Sequence, residues 1–128
     1  MTRDLSWLTA RPIAHRGLHD SNKLVWENTL TAFSRAIEHN YGIECDVHLT
    51  KDGVPVIFHD GDLKRLTGET GEVHDRTSAE MQKLRIGGTK DHPPTLREML
   101  NLIQGRVPLV IELKGDVGHD GDLVRSVA

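Results

Sequence analysis

Short apolar runs that end on a histidine, an acid or a base, separated by helix-patterned stretches, constrain this chain more than any other feature. Pro12-Ile13-Ala14 runs directly into His15. In Tyr41 to Val47, Ile43, Cys45 and Val47 alternate with Glu44 and Asp46, so an extended segment turns the apolar set to one face and the carboxylates to the other. Val107 to Lys114 repeats the pattern, with Val107, Leu109, Ile111 and Leu113 opposite Val110, Glu112 and Lys114. A further run, Val54 to Phe58, also reads as extended, and Pro55 assigns it to an edge or to the start of a strand. Between these runs the period changes to that of a helix. Leu30, Phe33 and Ile37 share a face behind an expected N-cap at Asn28. Thr95-Leu96-Arg97-Glu98 has the form of a capping box, followed by the stripe Leu96, Met99, Leu100 and Ile103 and by Gly105 as a left-handed stop. Strand, helix and strand in this order predict parallel βα units.

The stretch from Asp60 to Pro94 is too long for a plain connection and is expected to be an insertion with structure of its own. Leu63 to Leu66, turns at Gly68 and Gly71, and Thr77 to Glu80 ahead of Met81 and Leu84 predict short helical pieces there. Composition removes several classes of function. The 128 residues carry a formal net charge of −3, which lacks the basic face of a nucleic-acid binder. No apolar run approaches the length of a membrane span, and the first residues lack the apolar core of a secretory signal. The expectation is a soluble, cytoplasmic protein, and the single Cys45 fits a reducing compartment.

In parallel α/β folds the C-terminal ends of the strands form the site. Those ends carry His15-Arg16, Glu44-x-Asp46, Glu112-x-Lys114 and, after the additional run, His59-Asp60. Glu44 and Asp46 project from one face, and Glu112 from a neighbouring strand would bring a third carboxylate to the same point. Like charges so close favour a shared proton or a cation. Hard oxygen donors suit Mg²⁺ or Ca²⁺ better than zinc; the alternative is that Glu44 or Glu112 pairs with Lys114 or Arg16 as a buried ion pair. His15 and His59 titrate in the range useful for a general acid and base. Arg16 and Lys114 can contact phosphate oxygens, and Gly17 permits a sharp turn beside them. A hard cation, two histidines, an arginine and a lysine fit phosphodiester hydrolysis better than acyl transfer, and neither a G-x-S-x-G elbow nor a P-loop is present. Cys45 lies on the face opposite the carboxylates and is expected in the core, not as a nucleophile. His48 shares the carboxylate face but is expected past the strand end, while His19, His39, His74, His92 and His119 are expected in loops or at exposed positions.

The string His15-Arg16-Gly17, Glu27-Asn28-Thr29, Glu44-Cys45-Asp46-Val47, Thr50-Lys51-Asp52-Gly53, His59-Asp60, Leu63-x-Arg65-x-Thr67-Gly68, Pro94-Thr95-Leu96-x-Glu98 and Ile111-Glu112-Leu113-Lys114 resembles the glycerophosphodiester phosphodiesterase family from Pro12 to about Gly115. The resemblance implies a TIM (β/α)8-type barrel with a small insertion after the second barrel strand. It implies hydrolysis of glycerophosphodiesters to glycerol 3-phosphate and an alcohol. By position it makes Glu44, Asp46 and Glu112 ligands of a divalent cation, Mg²⁺ or Ca²⁺, and His15 and His59 the acid and base pair. Arg16 and Lys114 match phosphate contacts, and Glu27 matches a position near the site. The loop 18–26 is longer than the family pattern, and Trp26 stands where a proline is common; Trp26 or His19 is expected to reshape the pocket mouth.

A complete barrel of this type takes about 250 residues. Residues 1–128 are therefore expected to be the N-terminal portion of one, about three βα units with 60–94 inserted, cut where the chain stops after Leu123 without a helix end. Two other readings stand beside hydrolysis of glycerophosphodiesters. One is a phosphodiesterase of similar barrel type acting on lysophospholipids or phosphoinositides. The other is a non-catalytic fragment that binds a phosphorylated ligand, with self-association into a homo-oligomer as an open alternative for its partners.

Overall fold

A computed structural model of the chain describes residues 11–114. Its elements are β1 (Ile13–His15), α1 (Leu30–Glu38), β2 (Gly42–Leu49), β3 (Pro55–Ile57), α2 (Lys64–Thr67), α3 (Ser78–Gln82), α4 (Leu96–Ile103) and β4 (Leu109–Leu113), with single 3-10 turns at Val73–Asp75 and Ile86–Gly88. β2 is the hub of the sheet. β1 and β4 run parallel to it, and β3 pairs antiparallel with its far end. Two βα units and a third parallel strand are thus present, and the proline-bearing run takes the antiparallel position that lies outside the βα series. His119 and the helix expected to begin beyond Gly115 lie outside the described residues.

The alternation read in the sequence sets the two faces of the sheet. Ile43, Cys45 and Val47 are fully buried against Phe33, Ala36, Met99 and Ile103, which α1 and α4 lay over that face. Burial also pushes the Cys45 thiol up, so it stays protonated and acts as a small apolar residue. The opposite face carries Glu44, Asp46 and Glu112. β2 runs two residues further than its sequence pattern suggests, because β3 pairs with Val47, His48 and Leu49. His48 is consequently inside the strand and 6% exposed, and its Nε2–H donates to the His59 carbonyl at 3.0 Å.

Helix ends follow the expected chemistry with two shifts of one residue. Thr29, and not Asn28, caps α1: its hydroxyl accepts from the Ala32 amide, while Asn28 is displaced into the left-handed region at φ 53°. Thr95 and Glu98 complete the expected capping box of α4, whose left-handed exit begins at Gln104 (φ 48°), before Gly105. Residues 60–94 hold a second core of their own. Leu63, Leu66, Val73, Met81, Leu84 and Ile86 bury one another together with Val56 and Phe58, and Trp26 packs against the edge of this group. A Cβ at Gly87, itself at φ 59°, would sit 2.1 Å from the Trp26 ring. Trp26 therefore joins the loop 18–26 to residues 60–94, and only a glycine lets the two segments approach so closely.

Candidate active site

Register brings the strand-end residues together. His15 is level with Glu44 across the β1–β2 ladder, and Asp46 is level with Glu112 across β2–β4, so all four side chains leave the same face. One oxygen each from Glu44, Asp46 and Glu112 falls within 4.8 Å of the others. The His15 Nε2 lies 3.4 Å from Glu44 Oε2. Arg16 stands in the left-handed region at φ 59°, followed by Gly17 at φ 83°. A Cβ on Gly17 would meet the Ala32 Cβ and Phe33 Cδ1 at 2.9 Å, which accounts for a glycine at this turn. The turn directs the Arg16 amide to Glu44 Oε2 at 3.2 Å and its Nε to within 3.5 Å of Asp46 Oδ2. Lys114 donates to Glu112 Oε1 at 2.8 Å and lies 3.9 Å from Asp46 Oδ1.

The electrostatics are unbalanced. Burial pushes the Glu44 carboxyl up, and the neighbouring Asp46 charge pushes it in the same direction. Glu112 behaves oppositely: its side chain is 57% exposed, and Lys114 holds it below the usual carboxylate range. The ion-pair alternative is therefore realised only at the solvent edge, where such a pair contributes little. Inside, Glu44 Oε1 and Asp46 Oδ1 are buried with no hydrogen-bond partner. Three carboxylates face two cations, Arg16 and Lys114, and two buried oxygens remain unsatisfied. That donor set fits a hard divalent cation, which accepts oxygen ligands and supplies the missing charge.

Glu27 is placed differently from the other candidates. It is 3% exposed, and both its oxygens are already engaged: by Arg65 at 2.9 Å on each, by Asn22 Nδ2 at 2.8 Å and by Arg16 Nη1 at 3.2 Å. Burial pushes its carboxyl up, but the Arg65 and Asn22 hydrogen bonds and the two guanidinium charges prevail and hold it at about 2. A permanent anion so saturated holds arginines in place and has no free edge for a phosphate. His59 follows β3, and its Nδ1–H donates to Asp60 Oδ1 at 2.8 Å.

Four polar residues around the site escape a reading by motif and period alone. Asn28 is 2% exposed and donates from Nδ2 to Asp46 Oδ2 at 3.1 Å, so it orients a carboxylate and caps nothing. Its adjacency to Thr29, which can also cap, hid this. Asp60 and Arg65 stand in quoted motifs, but their partnership needs the tertiary fold. Asn22 lies in the loop 18–26 and carries no pattern. Of the remaining histidines, His92 donates to Glu98 and His39 lies at the end of α1. Trp26 is partly buried and packs against the second core.

A parallel βα sheet whose strand C-termini gather carboxylates, histidines and cations defines a barrel-type α/β protein with an acidic catalytic or binding mouth. Residues 15–118 match the model of the glycerophosphoryl diester phosphodiesterase family, and the chain belongs to that family. It is 45% identical over 127 residues to a glycerophosphodiester phosphodiesterase of Caldanaerobacter subterraneus, covering 90% of this chain and 51% of that protein. It is 33% identical to glycerophosphodiester phosphodiesterase 1 of Bos taurus over 90% of this chain and 37% of that one. Among solved structures, a phosphodiesterase of Oleispira antarctica in complex with the product sn-glycerol-3-phosphate superposes with a TM-score of 0.82 at 32% identity, covering 91% of this chain and 49% of that one. A glycerophosphodiester phosphodiesterase of Thermotoga maritima gives 0.72 at 37% identity, covering 91% and 49%. The fold is thus part of a TIM-type barrel, and the chain spans about half the length of the Caldanaerobacter, Oleispira and Thermotoga proteins. Among the described residues no helix is long and apolar enough to cross a membrane.

Proposed function

We propose that this chain carries the catalytic residues of a metal-dependent glycerophosphodiester phosphodiesterase, which releases glycerol 3-phosphate and an alcohol. The observation that carries the reading is the convergence of Glu44, Asp46 and Glu112 within 4.8 Å, with buried oxygens lacking partners, in a chain of this family. These three carboxylates hold Mg²⁺ or Ca²⁺. A divalent cation bound there supplies Lewis-acid polarisation of a phosphoryl oxygen and lowers the pKa of a nearby hydroxyl. Arg16 and Lys114, already beside the carboxylates, donate to the remaining phosphate oxygens and offset charge that develops at phosphorus. Glu27 contributes to phosphate binding indirectly, by fixing the Arg16 guanidinium. His15, next to Glu44, and His59, backed by Asp60, are the proton-moving pair on the attacking and leaving oxygens. Residues 60–94 form an insertion within the N-terminal portion of the barrel, and the protein acts in the cytoplasm on a small-molecule substrate.

The test uses the full-length protein and separates substrates as well as steps. Glycerophosphocholine is expected to yield glycerol 3-phosphate, EDTA to stop turnover, and Mg²⁺ or Ca²⁺ to restore it. Substitution of His15, His59 or Glu44 by Ala should abolish the reaction. Turnover of a lysophospholipid with none of glycerophosphocholine, or activity that survives both EDTA and the Ala variants, would overturn the proposal.

A further inference from the structure

Arg65 is the one basic side chain that the insertion sends into the site, and its guanidinium is spent on two carboxylates among the described residues. Nη1 and Nη2 donate to Glu27 Oε1 and Oε2 at 2.9 Å each, while Nε donates to Asp60 Oδ2 at 2.9 Å and Nη2 to Asp60 Oδ1 at 3.1 Å. Each of these acids touches a second group. Glu27 Oε2 accepts from Arg16 Nη1 at 3.2 Å, and Asp60 Oδ1 accepts from His59 Nδ1 at 2.8 Å. One planar cation therefore links the two positions from which a phosphate contact and a proton carrier are held. A guanidinium matches this geometry because its five N–H donors lie in a fixed fork, which no lysine can reproduce.

The direction of the last hydrogen bond matters most. The Arg65 hydrogen bond, aided by His59, keeps the Asp60 carboxyl below its usual range against the effect of burial. Asp60 is then an anion at neutral pH and can only accept. The proton must sit on His59 Nδ1, which leaves Nε2 as the nitrogen available to a substrate. An isolated, partly exposed ion pair would contribute little to stability. This one is bound on both sides to groups of the site, and Glu27, its other anchor, is buried.

We propose that Arg65 is a positioning residue: through Asp60 it fixes the Nδ1–H tautomer and ring orientation of His59, and through Glu27 it fixes the guanidinium of Arg16. The roles of His59 and Arg16 in turnover rest on the phosphodiesterase reading above, whereas the tautomer does not. The test has two arms. In the metal-free protein labelled with ¹⁵N-histidine, long-range ¹H–¹⁵N spectra report the protonated nitrogen of each ring. Wild type is expected to show Nδ1–H at His59. In Asp60→Asn the amide oxygen is drawn to Arg65 and its NH₂ faces the ring, which reverses the tautomer. Arg65→Met is expected to give a mixture of the two forms. Arg65→Lys, a point charge in place of the fork, should restore neither the wild-type shifts nor the rate.

In the full-length, metal-loaded protein, Asp60→Asn is expected to lower kcat for glycerophosphocholine on the order of 100-fold with KM changed little. Arg65→Met should lower kcat and also raise KM, because Arg16 loses its brace. Asp60→Asn is nearly isosteric, so it decides the question even if Arg65→Met unfolds. An unchanged His59 tautomer in folded Asp60→Asn, or full rescue by Arg65→Lys, overturns the proposal. Absence of hydrolysis in wild type would instead defeat the phosphodiesterase reading and leave the tautomer result to decide the role of Arg65.

Discussion

The parallel strands and residues 60–94 bury different clusters of side chains and reach the site by different means. In the sheet, Ile43, Cys45 and Val47 pack under α1 and α4, and the same backbone alternation that buries them delivers Glu44 and Asp46 to the other face. Ladder register sets the position there, and contacts such as Asn28 on Asp46 then trim the orientation of each carboxylate. Residues 60–94 instead collapse around Leu63, Leu66, Met81 and Ile86 and touch the site through side chains, chiefly Arg65 on Glu27 and Asp60. The difference teaches that one half of the site is fixed by secondary structure, whereas the other half depends on ion pairs whose geometry is settled by how two cores meet.

The largest expected effect falls on the register-held half. Asp46→Asn removes a carboxylate with an unpartnered oxygen and should cost about 1000-fold or more in hydrolysis by the full-length protein. The melting temperature of the metal-free variant should change little, since relief of the repulsion that pushes the Glu44 carboxyl up offsets the lost pairing with Arg16 and Lys114. A variant that loses stability in step with activity would show that Asp46 braces the strand and is not a site residue. Next come the two cores. Phe33→Ala and Met81→Ala each remove a fully buried side chain and should cost about 2–5 kcal/mol in denaturant titration. Hydrogen exchange separates them: Met81→Ala should raise exchange across 60–94 while β1, β2 and β4 stay protected, and uniform exposure of both regions would mean that they form a single cooperative unit.

The ion-pair half predicts a pH window. Glu27 has its carboxyl lowered from 4.5 to about 2, so its contribution is complete above about pH 4.5 and is lost as pH falls toward 2. That contribution amounts to up to about 3 kcal/mol. Glu27→Gln should flatten the stability curve between those pH values, and an unaltered acid transition would mean that Arg65 and Arg16 do not hold the carboxylate. The smallest effects compare one cap from each region. Thr77→Ala ahead of α3 and Thr95→Ala ahead of α4 each break a capping box and should cost about 1 kcal/mol. Thr95 is 9% exposed, so its substitution should be the costlier of the two. Equal losses would place the two helices in equivalent environments.

Much of this architecture is visible in residue order because period and capping are local. The alternation in 43–47 and 109–113, the α1 and α4 stripes and both threonine-glutamate boxes each depend on neighbours a few residues away. Errors arise where two local options compete. Asn28 and Thr29 can both cap a helix, and the choice went to Thr29 because Asn28 is needed at Asp46, on another strand. His48 is expected past the strand end because the polar alternation stops at Val47, although the Asp52-Gly53 turn before Val54–Phe58 is the local signal that β3 folds back to pair with it.

From the sequence by itself come the βα order, the side of each strand that bears carboxylates, and the acids, bases and histidines that stand at the strand ends. Those follow from local periods and from the fixed chemistry of each side chain. The tertiary structure alone decided that Arg65 meets Glu27 and that Arg16 meets Asp46. Arg65 could pair with any neighbouring carboxylate, and only the docking of the second core against the loop 18–26, through Trp26 on Gly87, sets it between Glu27 and Asp60. Ion pairs across such separations act through space over a few ångströms, and a linear order of residues does not encode that distance.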